Sequence, residues 1–461
     1  MARFRGVRYD PARVSGLAEV TSPPYDVIAD DIEDQLIAAD PHNVVRLILP
    51  RSATGRPDET YSGAALALRE WLDQRILVAD QVPGLYVYEQ ASAGGAVAGA
   101  VAGAVADAVA GAVLPGRGGH RDSRPGGEHH GVLQRGLVGA VRLVPPEAGI
   151  IMPHEEVVPG PVIGRRQLME ATQANLEPIF LLYDGSRPGA ATRLVEDVAT
   201  ARRPLLEALT TDGVRHRLWA LTDPAETAAV AADLAPRRAL IADGHHRYAA
   251  YLQLQARRRD AGYGAGPWDY GLALLVDSAA YPPQIGAIHR VVPGLAPAAA
   301  VDLAKGSFRV TALPGGTRDL PAALGALGQA AGDGGVAFLV AGGGEAHLLS
   351  EPDPVQLEAV MPAGRSPRWR GLAASVLQEL LITRLWGISD DERSVRIVHN
   401  DAATAIRAAD EVPGGTAVIC TAPSAADVYA IAANGERVPR KSTSFGPKPR
   451  TGLVMRTFAQ G

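Results

Sequence analysis

Short apolar runs alternate with helical stretches along the chain, the pattern of an α/β (α+β) protein. Residues 31–39 read as a short helix closed by Asp40 and Pro41, and residues 44–49 (VVRLIL) as a buried strand. Residues 58–74 read as an amphipathic helix with Leu66, Leu68, Trp71 and Leu72 on or near its apolar face. Residues 84–90 and 136–144 alternate as two strands able to pair with each other. Then come a strand end at 150–156, a helix at 165–174, a strand at 178–183, a helix at 194–209 and a strand at 214–221. Two further strands, 270–276 and 284–292, precede a Pro/Gly-rich stretch that begins at Pro293 and suggests a boundary. Beyond it, strands at 336–340, 395–398 and 417–420 alternate with helices at 372–385 and 402–409. The expected organisation is a mixed-sheet core over 1–90 and 132–293, followed by a C-terminal α/β unit over 294–461.

Residues 91–131 break this pattern. They are mostly Ala, Gly and Val, then Gly, Arg and His, with Gly95, Gly99 and Gly103 four apart. Such spacing marks some membrane helix pairs. Ala and Gly are feebly apolar, however, and Asp107 interrupts the run. A low-complexity insertion in an overgrown hairpin loop is expected, with His120, His129 and His130 solvated and no membrane partner.

The most informative stretch is ALIADGHHRYAAYLQLQARRR at 239–259. An apolar run of strand type ends in Asp243-Gly244, and a helical pattern with Tyr248, Tyr251, Leu252 and Gln255 takes over from Arg247. A helix N-terminus offers N–H groups and partial positive charge to a phosphate or carboxylate. Gly244 lets an anion approach the backbone, and Arg247 can add a two-pronged charged contact. The plainer alternative is that Asp243 caps the helix and both histidines are solvated.

Two other stretches carry candidate chemistry. IIMPHEE at 150–156 is not the zinc-protease pattern, because no second histidine follows at helical spacing. Its His154 and Glu155 suit a general base or a magnesium ligand, or equally a solvated strand end. In the tail, Arg440, Lys441, Lys448 and Arg450 bracket Ser442, Thr443 and Ser444, with Gly446, Pro447 and Pro449 keeping the backbone irregular. Hydroxyls, N–H groups and cations converging on such a loop make an anion nest. An anchoring strand from Leu453 to Phe458 would tie the loop down.

Composition narrows the choices. Of 461 residues, 47% are hydrophobic and 21% charged, and the net charge of −5 speaks against wholesale nucleic-acid binding. One cysteine, Cys420, precludes an internal disulfide and suits a reducing compartment, so a cytoplasmic location is expected. MARFRGVRYD has no apolar stretch, and no signal peptide is expected. Three of the 45 basic residues are lysines, and two of those, Lys441 and Lys448, fall in the tail.

The DGHHR turn resembles the GGCHRYEA-type motif of sulfiredoxins and, more loosely, the GERRxRA-type motif of ParB proteins. In those families the turn holds nucleotide phosphates. Aligned on Gly244, His246 and Arg247 fall on the motif's His and Arg, while His245 stands where sulfiredoxin carries its reactive cysteine. Without a thiol there, sulfinic-acid repair is not expected. SPPYDVI, NVVRLIL, GLYVYEQ, MPHEE, NLEPIF, ADGHHRY, IHRVV and KST…PKPRTGLV together resemble the domain of unknown function 1015 family over nearly the whole chain outside the insertion. That family is similar in turn to ParB-type kinases of free serine. The resemblance implies a ParB/sulfiredoxin-like mixed-sheet core and phosphoryl chemistry on a small hydroxylated metabolite such as serine or phosphoserine, with ATP or ADP and Mg²⁺. One departure stands out: PGPVIGRR puts Val162 and Gly164 where a lysine and an acid are expected.

On this reading Gly244, His246, Arg247, Lys441, Ser442, Thr443, Lys448 and Arg450 hold phosphates. Glu155, Asp243 or Asp26 takes a proton or holds the metal, with His245 beside them as a catalytic candidate. Phosphoryl transfer needs mainly positioning and charge stabilisation, which this set supplies. The alternative is a nucleotide-binding switch of ParB type without turnover. A DNA clamp would want a helix-turn-helix and a basic face, and neither is evident.

Overall fold

The structure, a computed structural model, describes residues 1–51, 57–93, 131–389, 391 and 393–460. The insertion histidines His120, His129 and His130 lie outside the described residues. The protein is a mixed α/β molecule of two compact units.

The first unit comprises Met1–Gly95, His130–Pro283 and Pro447–Gly461. Its eight-stranded sheet contains β1 (Leu85–Ser92), β2 (Val132–Arg142), β3 (Ile151–Met152), β4 (Ile179–Tyr183), β5 (Leu206–Leu209), β6 (Val214–Leu221), β7 (Ala239–Asp243) and β8 (Tyr270–Asp277). The spatial order is β3-β7-β4-β8-β2-β1-β6-β5, with β7 parallel to β3, β8 parallel to β4 and the other pairs antiparallel. β4 and β7 are buried along their whole length, which is why they read as continuous apolar runs. The pairing of β1 with β2, Gln90 opposite Gln134, bears out the expected hairpin at the base of the insertion. Helices α1 (Pro57–Asp73), α2 (Pro159–Thr172) and α3 (His245–Asp260) belong to this unit.

The second unit, described over Gln284–Gly446, has a six-stranded sheet. Its strands are β9 (Ile288–Val292), β10 (Arg309–Ala312), β11 (Ala337–Gly342), β12 (Glu345–Ser350), β13 (Arg396–His399) and β14 (Thr416–Ile419). They run β10-β12-β11-β14-β9-β13, every pair antiparallel. Helices α4 (Ala402–Asp410) and α5 (Ala425–Ala433) belong to this unit.

Several expectations change. The boundary expected at 293 falls at Pro283/Gln284, because β9 is a fully buried strand hydrogen-bonded to β13 and β14. The Pro/Gly stretch at 293 is a turn inside the second unit. The tail expected in that unit divides: Pro447–Gly461 belongs to the first, where Met455 bridges Val7 and Arg456–Thr457 pairs with Ala174–Asn175.

VVRLIL folds as a helical turn, Val45–Ile48, started by the Asn43 side chain, which accepts from Val45 N–H at 2.9 Å. An apolar run this short has no period with which to tell strand from helix. The helix expected at 194–209 stops at Ala201, since Pro204 cannot continue it, and β5 follows with alternate residues buried. Leu66 is exposed, unlike its neighbour Leu68.

Candidate functional site

The strand–turn–helix expected at 239–259 is present within the first unit: β7 ends at Asp243, Gly244 caps, and α3 starts at His245. The register of β7 against β4 shifts between Ile241 and Asp243, a bulge that re-aims the last side chain of the strand. Gly244 has φ +91°, and a Cβ there would meet Ile179 Cγ2 at 3.0 Å and Arg247 Nε at 3.1 Å. No other residue fits this turn without strain. The first helical bond runs from Tyr248 N–H to Gly244 O at 2.9 Å. The N–H groups of His245, His246 and Arg247 therefore precede the helical ladder, as an anion cradle requires.

Asp243 does not act as the N-cap, since Gly244 holds that position. Its carboxylate binds Arg247 Nη2 at 2.5 Å through one oxygen and Lys448 Nζ at 2.5 Å through the other. Lys448 also reaches Asp26 Oδ2 at 3.0 Å, so one ammonium bridges two carboxylates. Burial alone would lower the Lys448 pKa, but Asp243 and Asp26 outweigh it and hold the ammonium well above its ordinary range. Asp26 is the more exposed of the two acids.

Arg247 is almost fully buried and anchors inside the chain, with Nη1 donating to Pro178 O at 2.6 Å. Burial opposes its charge, and Glu177 and then Asp243 restore it, leaving the guanidinium pKa raised. Its buried Nε has no hydrogen-bond partner and lies beside the bare Cα of Gly244. An orphaned donor next to a position that excludes a side chain marks the spot where an acceptor oxygen fits.

Three residues of this cluster were not singled out by pattern. Glu177 is buried, accepts from Tyr25 N–H at 3.0 Å and lies 3.7 Å from Arg165 Nη1. Its pKa is raised by burial, against the pull of Arg247 and Arg165. The Arg165 guanidinium stacks 4.2 Å from the centre of the Tyr25 ring, and burial pushes the Tyr25 phenol up to about 12. SPPYDVI and NLEPIF already contained the signal: an aromatic-acid pair after two prolines, and a glutamate at the mouth of a buried strand.

His154 N–H donates to His245 Nε2 at 3.2 Å, and the two rings meet edge to face at 4.4 Å. A main-chain donor on Nε2 makes this His245 nitrogen an acceptor, which fits a neutral ring with its proton on Nδ1. His246 Nε2 likewise accepts from Val158 N–H at 3.1 Å. Glu155 sits beside His154 in the segment after β3, half-buried.

The tail candidates separate. Lys448 joins the first unit's cluster, whereas Arg450 braces the N-terminal region through Thr21 Oγ1 at 2.8 Å, Thr21 O at 2.8 Å and Ala18 O at 3.1 Å. Arg450 thereby has acceptors in place of a phosphate, and burial lowers its pKa. Lys441, Ser442 and Thr443 belong to the second unit. Ser442 Oγ donates to Pro439 O. Among the described residues no group of three or more His, Cys, Asp or Glu side chains could hold a metal ion, and no helix is long and apolar enough to cross a membrane.

Residues 1–115 and 124–374 match the profile of a family described as "Protein of unknown function (DUF1015)". The chain belongs to this family. No curated protein matches it. Among solved structures, a mutant free serine kinase in complex with ADP is similar at 15% identity, covering 68% of this chain and 92% of its own, with a TM-score of 0.33. A conserved hypothetical protein from Pyrococcus furiosus matches at 14% identity over 69% of this chain and 93% of its own, TM-score 0.33. SbnI with a C-terminal truncation, from Staphylococcus aureus, matches at 11% identity over 70% of this chain and 88% of its own, TM-score 0.35. Likeness this distant carries no argument about chemistry, which rests on the site itself.

Proposed function

We propose that the first unit binds the phosphates of a nucleotide at the N-terminus of α3 and transfers a phosphoryl group to a small hydroxylated metabolite such as free serine. The observation that carries this reading is the buried, unpartnered Nε of Arg247 facing Gly244 at the start of a 16-residue helix. Lys448 supplies a second positive charge on the far side of Asp243.

The residues divide the work by exposure. Asp243 is buried and tied to Arg247 and Lys448, so it positions cations. Asp26 is open enough to meet a substrate hydroxyl and take its proton as the oxygen attacks phosphorus. The bond from that phosphorus to the bridging oxygen of ADP then breaks, and ADP carries away the electron pair. Lys448 moves with the charge from the carboxylates to the phosphoryl oxygens. Mg²⁺, which prefers one or two carboxylates together with substrate phosphates, fits the Asp26–Asp243 pair and would neutralise phosphate charge there. With phosphoserine in place of the nucleotide donor and water in place of the metabolite, the same cradle would hydrolyse phosphoserine to serine and inorganic phosphate.

Calorimetric titration of ADP with Mg²⁺ into wild type and Lys448→Met, alongside phosphorus NMR of ATP plus serine, tests this. Binding should weaken at least about tenfold in the variant, as loss of a charge-assisted contact implies, and a new phosphomonoester signal should appear with wild type. Binding without turnover would favour the nucleotide-binding switch. If neither ADP nor phosphoserine binds wild type, the reading is wrong.

A further inference from the structure

The second unit contains a cavity of about 290 Å³ that no part of the chemistry above uses. Its lining is partly apolar, with Ile288, Phe338, Leu372 and Leu377, and partly polar and cationic, with Arg290, Lys441, Ser442 and Thr421. We propose that this cavity binds a small organic anion, with a carboxylate or phosphate head at Lys441 and a short apolar body against Phe338 and Leu372.

The backbone and charge of Lys441 support the assignment. Lys441 has φ +53°, a left-handed conformation that is unfavourable for a non-glycine residue and persists where the surroundings hold it. It is half-buried at the cavity wall, and no carboxylate among the described residues pairs with its ammonium. Its conformation is held from below, because Arg290 Nη2 donates to the carbonyls of Arg440 and Lys441, each at 3.1 Å. The loop that presents Lys441 is thus fastened by a second cation, and positive charge is concentrated on one wall.

The one acid lining the cavity is already neutralised: Asp427 pairs with Arg368 at 3.0 Å and accepts from Ser424 Oγ at 2.6 Å. Ser424 caps α5, whose N-terminus adds partial positive charge at the same rim. On the apolar side the helix that begins at Ala373 widens over Leu377–Leu385, where Trp386 N–H reaches back five residues to Leu381 O at 3.1 Å. Such widened turns occur frequently beside functional sites. The volume lies at the small end of ligand cavities, so an amino-acid-sized metabolite fits better than a nucleotide.

Cys420, the sole cysteine of the chain, lines this cavity, so an occupant that covers it should slow its alkylation. The test is the rate of Cys420 alkylation by iodoacetamide in the full chain, read by mass spectrometry, with increasing inorganic phosphate or pentanoate. At least one of the two anions should slow labelling saturably, and which one does so identifies the head group. Lys441→Gln should weaken that protection at least about fivefold while Lys441→Arg retains it, as expected for a charge-assisted contact. Lys448→Met, in the other unit, should leave it unchanged. Absence of protection by both anions, or protection that survives Lys441→Gln, overturns the proposal.

Discussion

Lys441 and Lys448 lie in one basic stretch of sequence, yet the fold gives them opposite electrostatic roles. Lys448 is clamped between Asp26 and Asp243 in a cluster where carboxylates and cations balance. Lys441 stands at a cavity whose one lining acid is paired elsewhere. A neutralised cation gives up a partner to bind an anion, and so couples binding to rearrangement. An uncompensated one binds directly. Clustering of charge in sequence therefore says little about whether the charges share a task.

The comparison can be broken most forcefully at Arg247. Its removal leaves Asp243 short of a buried partner and Pro178 O without its donor. Arg247→Ala should destabilise the first unit by about 3–5 kcal/mol, the usual result of breaking a buried pair. Urea unfolding will show this, and loss of nucleotide binding in that variant must be read beside its loss of stability.

Gly244→Ala comes next. It adds a strained backbone and a methyl crowding Ile179 Cγ2 and Arg247 Nε, for an expected loss of about 1–3 kcal/mol in the same measurement.

A pH titration compares the two units more gently. Each buries a neutral histidine: His216 in the first, lowered to about 3 by burial and then Arg450, and His289 in the second, lowered to about 4 mainly by burial. Both folded values lie below the ordinary one, so below about pH 6.5 the unfolded chain takes up protons that the native chain refuses. Each histidine should therefore remove up to about 1.4 kcal/mol of stability per pH unit on acidification from 6.5 toward its native value. His216→Asn and His289→Asn should each flatten the acid limb of the stability curve, and unchanged slopes would contradict the burial argument. Smallest of all, Lys441→Gln should alter unfolding by no more than about 0.5 kcal/mol, because its ammonium holds no partner among the described residues.

Much of the fold was legible because its elements announce themselves. β4, β7 and β8 are apolar runs bounded by turn residues, and the β1–β2 hairpin shows on either side of a compositional break. The strand–turn–helix at Asp243–Gly244 was legible for the same reason. What was hidden depends on distant partners. Nothing in VVRLIL says that Asn43 will start a helical turn, and nothing in IHRVV says that its neighbours will be β13 and β14. The site shows the same limit. Gly244 could be placed from local chain geometry, whereas the roles of Glu177, Arg165 and Arg450 follow from hydrogen-bond partners far away in sequence.

The return of Pro447–Gly461 to the first unit also orders events during synthesis. The second unit's Gln284–Gly446 emerges from the ribosome before the segment that carries Lys448, Arg450 and Met455. The second unit can thus finish folding while the first still lacks the Val7–Met455 bridge and the cation between Asp26 and Asp243. The ion cluster of Asp26, Asp243 and Lys448 is therefore completed only after the second unit's sequence has been made.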